Sequence, residues 1–253
     1  MRLKDRIPLS IRRLVGKLSA LLHSWVPVRF QLLRKRPIYP GERNRFVYQE
    51  RYVHFEIQPA DRVLDIGSGG DPFPHATILA DRFMQKTEHR HAELVRDDRP
   101  FVVADVSDLP FRDKCLDFVY CAHILEHVDD PIGSCAEIMR IGKRGFIETP
   151  TMGKDMLFAW AKGMHKWHLV SAGCNLCFFE YSPRQLEGIR SSAWQEIIFN
   201  KWYYPLQKAF YENQDIFNVM FSWFDSFGVF VFRLDGSVQT LNAEGVCNEP
   251  SHS

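Results

Sequence analysis

The chain has 253 residues, of which 45% are hydrophobic, 13% aromatic and 25% charged. These values are typical of a folded protein with a sizeable core and exclude a disordered, collagen-like or disulfide-scaffold chain. The net charge of +1 hides an uneven distribution, since residues 1–50 hold 12 Lys and Arg against 3 Asp and Glu. Acidic residues predominate in the remainder, which predicts two regions with different surroundings.

Residues 1–44 are predicted to form a basic amphipathic extension. Apolar residues recur at helical spacing from Ile7 to Trp25, and basic residues occupy the opposite face. Such a helix either lies on an anionic membrane surface or packs its apolar face on its own domain, and the pattern leaves both interpretations open. No recognised nucleic-acid motif accompanies the basic run, so we expect no nucleic-acid partner.

The apolar runs bear on where the protein resides. None approaches the roughly 18 residues of a transmembrane span, and the N-terminal residues do not fit a cleaved signal peptide. The six cysteines are irregularly spaced, so we expect reduced thiols. These features predict a cytoplasmic protein, either free or peripheral on the inner face of the membrane.

From residue 61 onwards, short apolar runs alternate with loops and one clear helix. That helix has Asp130 as its N-cap and Pro131 at its first position, and Gly142 ends it. The alternation predicts a parallel sheet covered by helices. The strands are expected at Arg62–Ile66, Thr77–Ala80, Phe101–Ala104, Leu116–Cys121 and Gly145–Glu148.

Two hairpins are predicted further along the chain. Leu169–Tyr181 turns around Ala172 and Gly173, and the aromatic-rich strands Asn218–Phe224 and Val229–Leu234 are joined by a short turn. Residues 242–253 are polar and are expected to form a flexible tail. Residues 45–241 then form the main domain, with residues 151–181 as an insert or lid.

A strand runs into a glycine-rich turn at Val63–Asp71, where glycines let the backbone approach a ligand closely. The spacing does not match a dinucleotide fingerprint, because Pro72 stands where the third glycine would be. Asp71-Pro72-Phe73-Pro74 is also a poor helix start, so at most a stunted helix is expected before the second strand. A pyrophosphate needs a helix N-terminus, and Asp65 would repel it, so a phosphate-free cationic nucleoside is favoured.

Two further acids follow successive strands. Asp81 is placed to accept the hydroxyls of a ribose, as in related nucleotide folds. Asp105 is placed to accept an adenine amino group, with the backbone N–H of Val106 beside a ring nitrogen. Each acid alone is typical of a turn or a cap, but their succession after the glycine turn points to one nucleoside site.

These residues resemble the class I S-adenosylmethionine-dependent methyltransferases, in particular the type 11 branch. The motifs that carry the resemblance are Val63–Asp71, Asp108-Leu109-Pro110-Phe111, Asp117–Tyr120 and His123–Val128. It implies a Rossmann-like α/β fold with a seven-stranded, mostly parallel sheet whose last strand is antiparallel. It also implies S-adenosyl-L-methionine as the cofactor. The cofactor residues it implies are Asp65, Gly67, Ser68, Gly69, Asp81, Asp105, Val106 and Ala122.

Histidines after the fourth strand are the candidate catalytic groups. His123 is expected to act as the base or to orient the acceptor, and His127 either assists or caps its loop. His165, in the insert, is expected to face the acceptor together with Trp167. An alternative for the insert is a zinc site built from His165, His168, Cys174 and Cys177, but a single C-x-x-C is weak evidence and no metal is predicted.

The acceptor is predicted to be a small molecule, a glycan or a lipid-linked compound, methylated on oxygen. The fourth strand lacks the N/D-P-P-Y pattern used for methylating nucleic-acid bases. Two alternatives stay open: a non-catalytic methyltransferase-like binding module, and a nicotinamide-dependent oxidoreductase, which Pro72 and Asp65 disfavour.

Overall fold

The computed structural model of the protein describes residues 14, 17, 18, 45–85, 87, 92–158, 164–190 and 213–242. Leu14, Lys17 and Leu18 are helical and exposed. The remainder of the predicted N-terminal extension and almost all of the predicted tail lie outside the described residues. Among the described helices, none combines the length and apolar composition that crossing a bilayer requires.

Among the described residues, the first four strands follow one another with no helix between them, and helices and strands are interspersed after the fourth. The helices are α1 (Arg45–Tyr52), α2 (Pro131–Ile141), α3 (Met152–Phe158), α4 (Pro183–Arg190) and α5 (Gln214–Phe217), with a 3-10 helix at Leu125–His127. The strands are β1 (Val63–Ile66), β2 (Ile78–Asp81), β3 (Phe101–Val103), β4 (Phe118–Ala122), β5 (Arg144–Pro150), β6 (Trp167–Ala172), β7 (Asn175–Glu180), β8 (Asn218–Phe224), β9 (Gly228–Phe232) and β10 (Val238–Leu241).

The central sheet has six described strands in the order β3-β2-β1-β4-β5-β8, compared with the seven that were expected. The first five are parallel and β8 pairs antiparallel with β5. The predicted Rossmann-like α/β architecture with an antiparallel last strand is therefore confirmed. All residues of β1 and β4 are buried, which is typical of parallel strands covered on both faces.

The predicted hairpin of β8 with β9 is wrong. β9 instead joins a second sheet of order β10-β9-β7-β6, where it pairs parallel with β7. The physical reason lies in the connection, where Phe227 packs its ring back on Phe221 and Trp223 at centroid distances of 5.3 and 5.5 Å. Burying that ring turns the chain out of the central sheet.

The other local predictions match the structure. The carboxylate of Asp130 accepts the backbone N–H of Gly133 at 3.0 Å and caps α2. β6 and β7 form the expected antiparallel hairpin, with Gly173 at φ +59° in its turn. No helix forms in the described segment between β1 and β2.

Candidate functional site

The glycine-rich turn lies at the carboxyl end of β1, between β2 and β4. Gly67 and Gly69 have φ values of +74° and +54°, and the backbone N–H groups of Gly67 and Ser68 donate to the carbonyl oxygen of Ala80. A Cβ atom at Gly67 would lie 2.1 Å from Cδ1 of Ile124. Glycine is thus required there both for its φ and for close contact with the segment after β4.

Asp65 stabilises the part of the turn where related folds have a helix. Its carboxylate is only 1% exposed and accepts the backbone N–H of Phe73 at 2.7 Å. The ring of Phe73 stacks on Tyr120 at 4.1 Å with a 2° interplanar angle, and Arg45 donates to the carbonyl oxygen of Asp71. Burial raises the pKa of Asp65 to about 6, against the opposing effects of the Phe73 hydrogen bond and the Arg45 charge.

The second predicted acid, Asp81, is tied to the glycine turn. One carboxylate oxygen accepts the N–H of Gly69 at 3.1 Å and the other accepts the N–H of Phe83 at 2.8 Å. Asp81 is buried, and its strand pairs with β1 in parallel register. It therefore lies at the same edge of the sheet as the glycines, as predicted.

The third acid, Asp105, is more open. Its carboxylate lies 2.7 Å from the guanidinium of Arg82 and accepts the hydroxyl and the N–H of Ser107 at 2.8 and 3.0 Å. Burial acts to raise the pKa of Asp105, but the Ser107 hydrogen bonds and the Arg82 charge outweigh it and lower the pKa. Val106 beside it is buried.

His123 lies directly after Ala122, the last residue of β4, and is held between two buried carboxylates. Its Nδ1 is 3.3 Å from Oε1 of Glu126 and its Nε2 is 3.1 Å from Oε1 of Glu148. The residue has φ +59°, an uncommon conformation for a side chain of this size. The imidazole is 32% exposed, so its ring remains reachable from solvent.

These carboxylates control the protonation of His123. Burial and the Lys154 charge lower the pKa of His123, but hydrogen bonds with Glu126 and Glu148 outweigh them and raise it. Burial acts to raise the pKa of both carboxyl groups, and the hydrogen bond with His123 reverses the effect. It brings the pKa of Glu126 to about 2 and lowers that of Glu148.

Glu148 is a functional candidate that the sequence analysis missed. Its carboxylate accepts the Tyr48 hydroxyl at 2.5 Å and the Gln49 amide at 2.9 Å, both from α1. Next to this group, the Lys154 ammonium donates to the amide oxygen of Asn218 at 2.6 Å. The available signal was an acid inside the otherwise uncharged run Gly145–Pro150, because a charged residue in a buried strand is kept only when it is paired.

The insert covers the segment after β4, as expected, but its side chains are arranged differently. The backbone N–H of Lys166 donates to the carbonyl oxygen of Glu126, and Nε1 of Trp167 donates to that of Val128. Trp167 does not face an acceptor, since it is 2% exposed and packs in the main core. The reason is that its indole closes the gap between the second sheet and the central sheet.

His165 is buried and brought next to the segment after β4. Its Nδ1 is 2.8 Å from Oδ2 of Asp155, and its ring meets that of His127 edge-on at 4.6 Å. The zinc alternative fails because the ring of His168 stacks on Phe179, away from His165. Cys174 is also disulfide-bonded, which corrects the expectation of reduced thiols at that residue.

The comparisons with known proteins agree with this geometry. The family model described as a methyltransferase domain, of type 11, matches residues 64–147. Residues 64–147 are therefore similar to a methyltransferase domain. They contain the glycine turn, the three strand-end acids, His123 and its partner Glu126, while its second partner, Glu148, follows directly after the matched segment.

Several solved structures are similar to parts of the chain. The YcgJ protein of Bacillus subtilis aligns with 20% identity over 38% of this chain and 47% of its own, at a TM-score of 0.29. A Thermotoga maritima SAM-dependent methyltransferase aligns with 20% identity over 39% of this chain and 48% of its own, at a TM-score of 0.30. The Haloferax volcanii complex of the Trm112 methyltransferase activator with a methyltransferase aligns with 16% identity. The alignment covers 68% of this chain and 85% of that one, at a TM-score of 0.43.

The chain thus spans about half the length of two of these proteins. No curated protein is similar enough to count as a match. With TM-scores below 0.5, the structural alignments carry no argument, and the family match to residues 64–147 supports the assignment.

The family match implies S-adenosylmethionine as the cofactor, and the residues present fit it. The Ser68 hydroxyl is buried in the glycine turn with no hydrogen-bond partner among the described residues, so it is available to a ligand. The turn has no helix N-terminus for a diphosphate, while Asp65, Asp81 and Asp105 line the same sheet edge. A cationic, phosphate-free nucleoside matches this set of charges.

A cavity of about 490 Å³ lies beside this site. It is bounded by the start of α3, by β6 and by the start of β8, with Asn218 at its wall. None of the predicted cofactor residues lines it. Asn218 connects it to the buried polar group, since its amide donates to the Tyr48 hydroxyl at 3.0 Å.

Proposed function

We propose that the protein is an S-adenosylmethionine-dependent methyltransferase that methylates a hydroxyl of a small-molecule, glycan or lipid-linked acceptor. The observation that carries this proposal is the contact between the two halves of the site. Gly67 of the cofactor turn lies against Ile124, the residue that follows His123. A cofactor on the turn would therefore be close to the proposed base.

The cofactor site is proposed to consist of the glycine turn, Asp81 and Asp105. Asp81 would bind ribose hydroxyls, and Asp105 with the N–H of Val106 would bind the adenine edge. Arg82 pairs with Asp105 in the described structure, so cofactor binding requires that guanidinium to move aside. Asp65, which is buried, acts by bracing the turn and by its charge.

When bound, S-adenosylmethionine supplies an electrophilic methyl group on a sulfonium centre. The chain's task is to align an acceptor oxygen, exclude water and accept the proton that the hydroxyl loses. His123 is the proposed proton acceptor, because its ring is partly exposed. Each of its ring nitrogens faces a carboxylate, so one nitrogen has to turn from its partner to take the hydroxyl proton, and the other carboxylate then stabilises the imidazolium that forms. The half-buried His127 and the buried His165 lie next to Glu126.

The lining of the cavity supports a partly apolar acceptor. The cavity beside the site falls within the size range of small-molecule pockets, and Met152, Leu169 and Met220 lie in its wall.

The exposed Leu14 and Leu18, within the strongly basic residues 1–50, support contact with an anionic membrane surface from the cytoplasmic side. Deleting residues 1–40 should weaken binding to anionic liposomes, and unchanged binding would exclude this membrane role.

Calorimetry with three ligands tests the cofactor assignment. The protein should bind S-adenosylmethionine and its demethylated product, and it should not bind NAD. Binding of NAD alone would favour the oxidoreductase alternative.

Turnover separates an enzyme from a non-catalytic binding module. When the protein is incubated with methyl-labelled S-adenosylmethionine and a cell-extract pool, the label should appear in a product. His123→Ala should leave cofactor affinity unchanged and slow transfer by about 10²- to 10⁴-fold. An undiminished rate would remove His123 as the base, and cofactor binding without any product would favour the binding module.

A further inference from the structure

We propose that Glu126, His127 and His165 bind one divalent transition-metal ion, such as Zn²⁺ or Co²⁺. Each residue offers one ligand atom, and these three atoms lie within 4.8 Å of one another. Glu126 and His165 are buried and His127 is half-buried. The sequence alone predicts no metal, because His165 is separated from the other two by nearly forty residues and is brought to them by the insert.

The first supporting observation is an unsatisfied carboxylate oxygen. Glu126 is 1% exposed, and its Oε2 has no hydrogen-bond partner among the described residues. A buried carboxylate oxygen without a partner has lost its water without gaining a hydrogen bond in return. Its other oxygen, Oε1, is shared by His123 at 3.3 Å and His165 at 4.0 Å. A cation bound to Oε2 supplies what this carboxylate lacks.

The second observation is how His165 is oriented. Asp155 lies 2.8 Å from Nδ1 and also accepts the Tyr181 hydroxyl at 2.9 Å, an arrangement that suits the tautomer with its proton on Nδ1. In that tautomer the lone pair of Nε2 faces the carboxylate of Glu126 across 4.0 Å. A cation between them would be bound by both the nitrogen and the carboxylate. A carboxylate on the far nitrogen is also the arrangement that orients histidine ligands of metals.

The set of donors selects the class of ion. Two imidazoles and one carboxylate suit zinc, cobalt, iron or manganese better than magnesium or calcium, which prefer oxygen. Zinc bound at about 2.1 Å to each ligand needs ligand atoms about 3.4 Å apart in tetrahedral geometry. The cluster would therefore have to contract slightly on binding, which side-chain rotation of the half-buried His127 can provide. Three protein ligands also leave a position open for water or for an acceptor oxygen.

The position of the ion next to His123 suggests a role for it in the proposed methyl transfer. This role, unlike metal binding, rests on the proposed function. His123 and the ion share Glu126, so the ion lies on the side where the acceptor is proposed to approach. An acceptor oxygen in the open position would have a lowered pKa. Metal binding itself does not depend on methyl transfer and is measured without cofactor or acceptor.

The test is a titration of the full-length, tag-free protein, stripped with EDTA, with Zn²⁺, Co²⁺ and Mg²⁺. We expect one Zn²⁺ or Co²⁺ per chain at micromolar affinity or tighter, visible absorption bands for the cobalt complex, and at least tenfold weaker Mg²⁺ binding. Glu126→Gln and His165→Gln should each weaken binding at least a hundredfold. Asp155→Asn, which changes a positioning residue, should weaken it about 10- to 100-fold.

His168→Gln is the matched control, because it changes a histidine three residues from His165 whose ring stacks on Phe179. It should leave affinity unchanged. If the buried variants fail to fold by circular dichroism, His127→Gln takes their place with the same expected loss. No metal binding, or equal binding by the His165 and His168 variants, would overturn the proposal. Cofactor affinity measured in parallel shows whether the methyltransferase assignment stands regardless.

Discussion

His123 and Glu148 are joined at two points. The backbone N–H of His123 donates to the carbonyl oxygen of Glu148 at 2.8 Å, and Nε2 of the same histidine lies 3.1 Å from the Glu148 carboxylate. The first contact continues the pairing of β4 with β5 by one residue, and the second fixes the ring. The strand pairing of the fold therefore also sets the position and protonation of the proposed base.

The first prediction concerns this pair. Glu148→Gln removes a carboxylate that raises the pKa of His123, so the pKa should fall and the imidazolium should be lost at lower pH. NMR titration of the His123 ring measures this without an acceptor. Glu137→Gln is the control, because Glu137 pairs with Arg140 and should leave the titration unchanged. An unaltered His123 titration in Glu148→Gln would contradict the role given to Glu148.

The second prediction concerns the adenine end of the proposed cofactor site. Asp105→Ala should weaken S-adenosylmethionine binding at least tenfold in calorimetry, since a site left without its hydrogen-bond acceptor loses that contact. Arg82→Ala should bind at least as tightly as the wild type, because it removes the ion pair that competes for Asp105. Asp113→Ala changes an exposed acid paired with Arg140 and should have no effect. Equal losses in the Asp105 and Asp113 variants would rule out the assignment.

The third prediction separates strain from crowding at Gly67. Gly67→Ala should lower the free energy of unfolding by about 2–4 kcal/mol, from the left-handed φ and the clash with Ile124. Gly236→Ala has a similar φ of +85° but open space around the Cβ, so it should cost only about 1–2 kcal/mol. Urea unfolding of both variants measures the difference. Equal losses of unfolding free energy in the two variants would contradict the close contact at Gly67.

The fourth prediction is a pH dependence of stability from Asp65. The pKa of Asp65 is raised from 3.8 to about 6, so the folded state binds more protons than the unfolded state between these values. The contribution of Asp65 to the free energy of unfolding should therefore fall as the pH rises from about 4 to 6, and then stay constant. Asp65→Asn should remove this part of the profile.

The measurement for Asp65 is urea unfolding at several pH values between 4 and 7. Relative to the wild type, the free energy of unfolding of Asp65→Asn should increase by an amount on the order of 1–3 kcal/mol as the pH rises over this range. Asp97→Asn serves as the control, because Asp97 is exposed and pairs with Arg99. A constant difference between Asp65→Asn and wild type would show that the carboxyl group titrates equally in both states.

The sequence by itself determined which segments of the chain form the parallel strands and which residues lie at or near their ends. Asp65, Gly67, Asp81 and Asp105 were found because a short apolar run followed by a small or acidic residue is a local pattern. The Asp130 cap and the β6–β7 hairpin were found for the same reason, since each depends on neighbours within a few residues. The absence of a helix after β1 followed from Pro72 and Pro74.

The tertiary structure alone decided which distant side chains meet. Glu148 is 100 residues from Tyr48, and Asp155 is ten residues from His165 but on a different element. β9 left the central sheet because Phe227 could be buried against β8, a choice that no period of apolar residues reveals. The tertiary structure also buried Asp65 and Trp167, because a local pattern identifies the residue type but not the direction in which the folded chain points it.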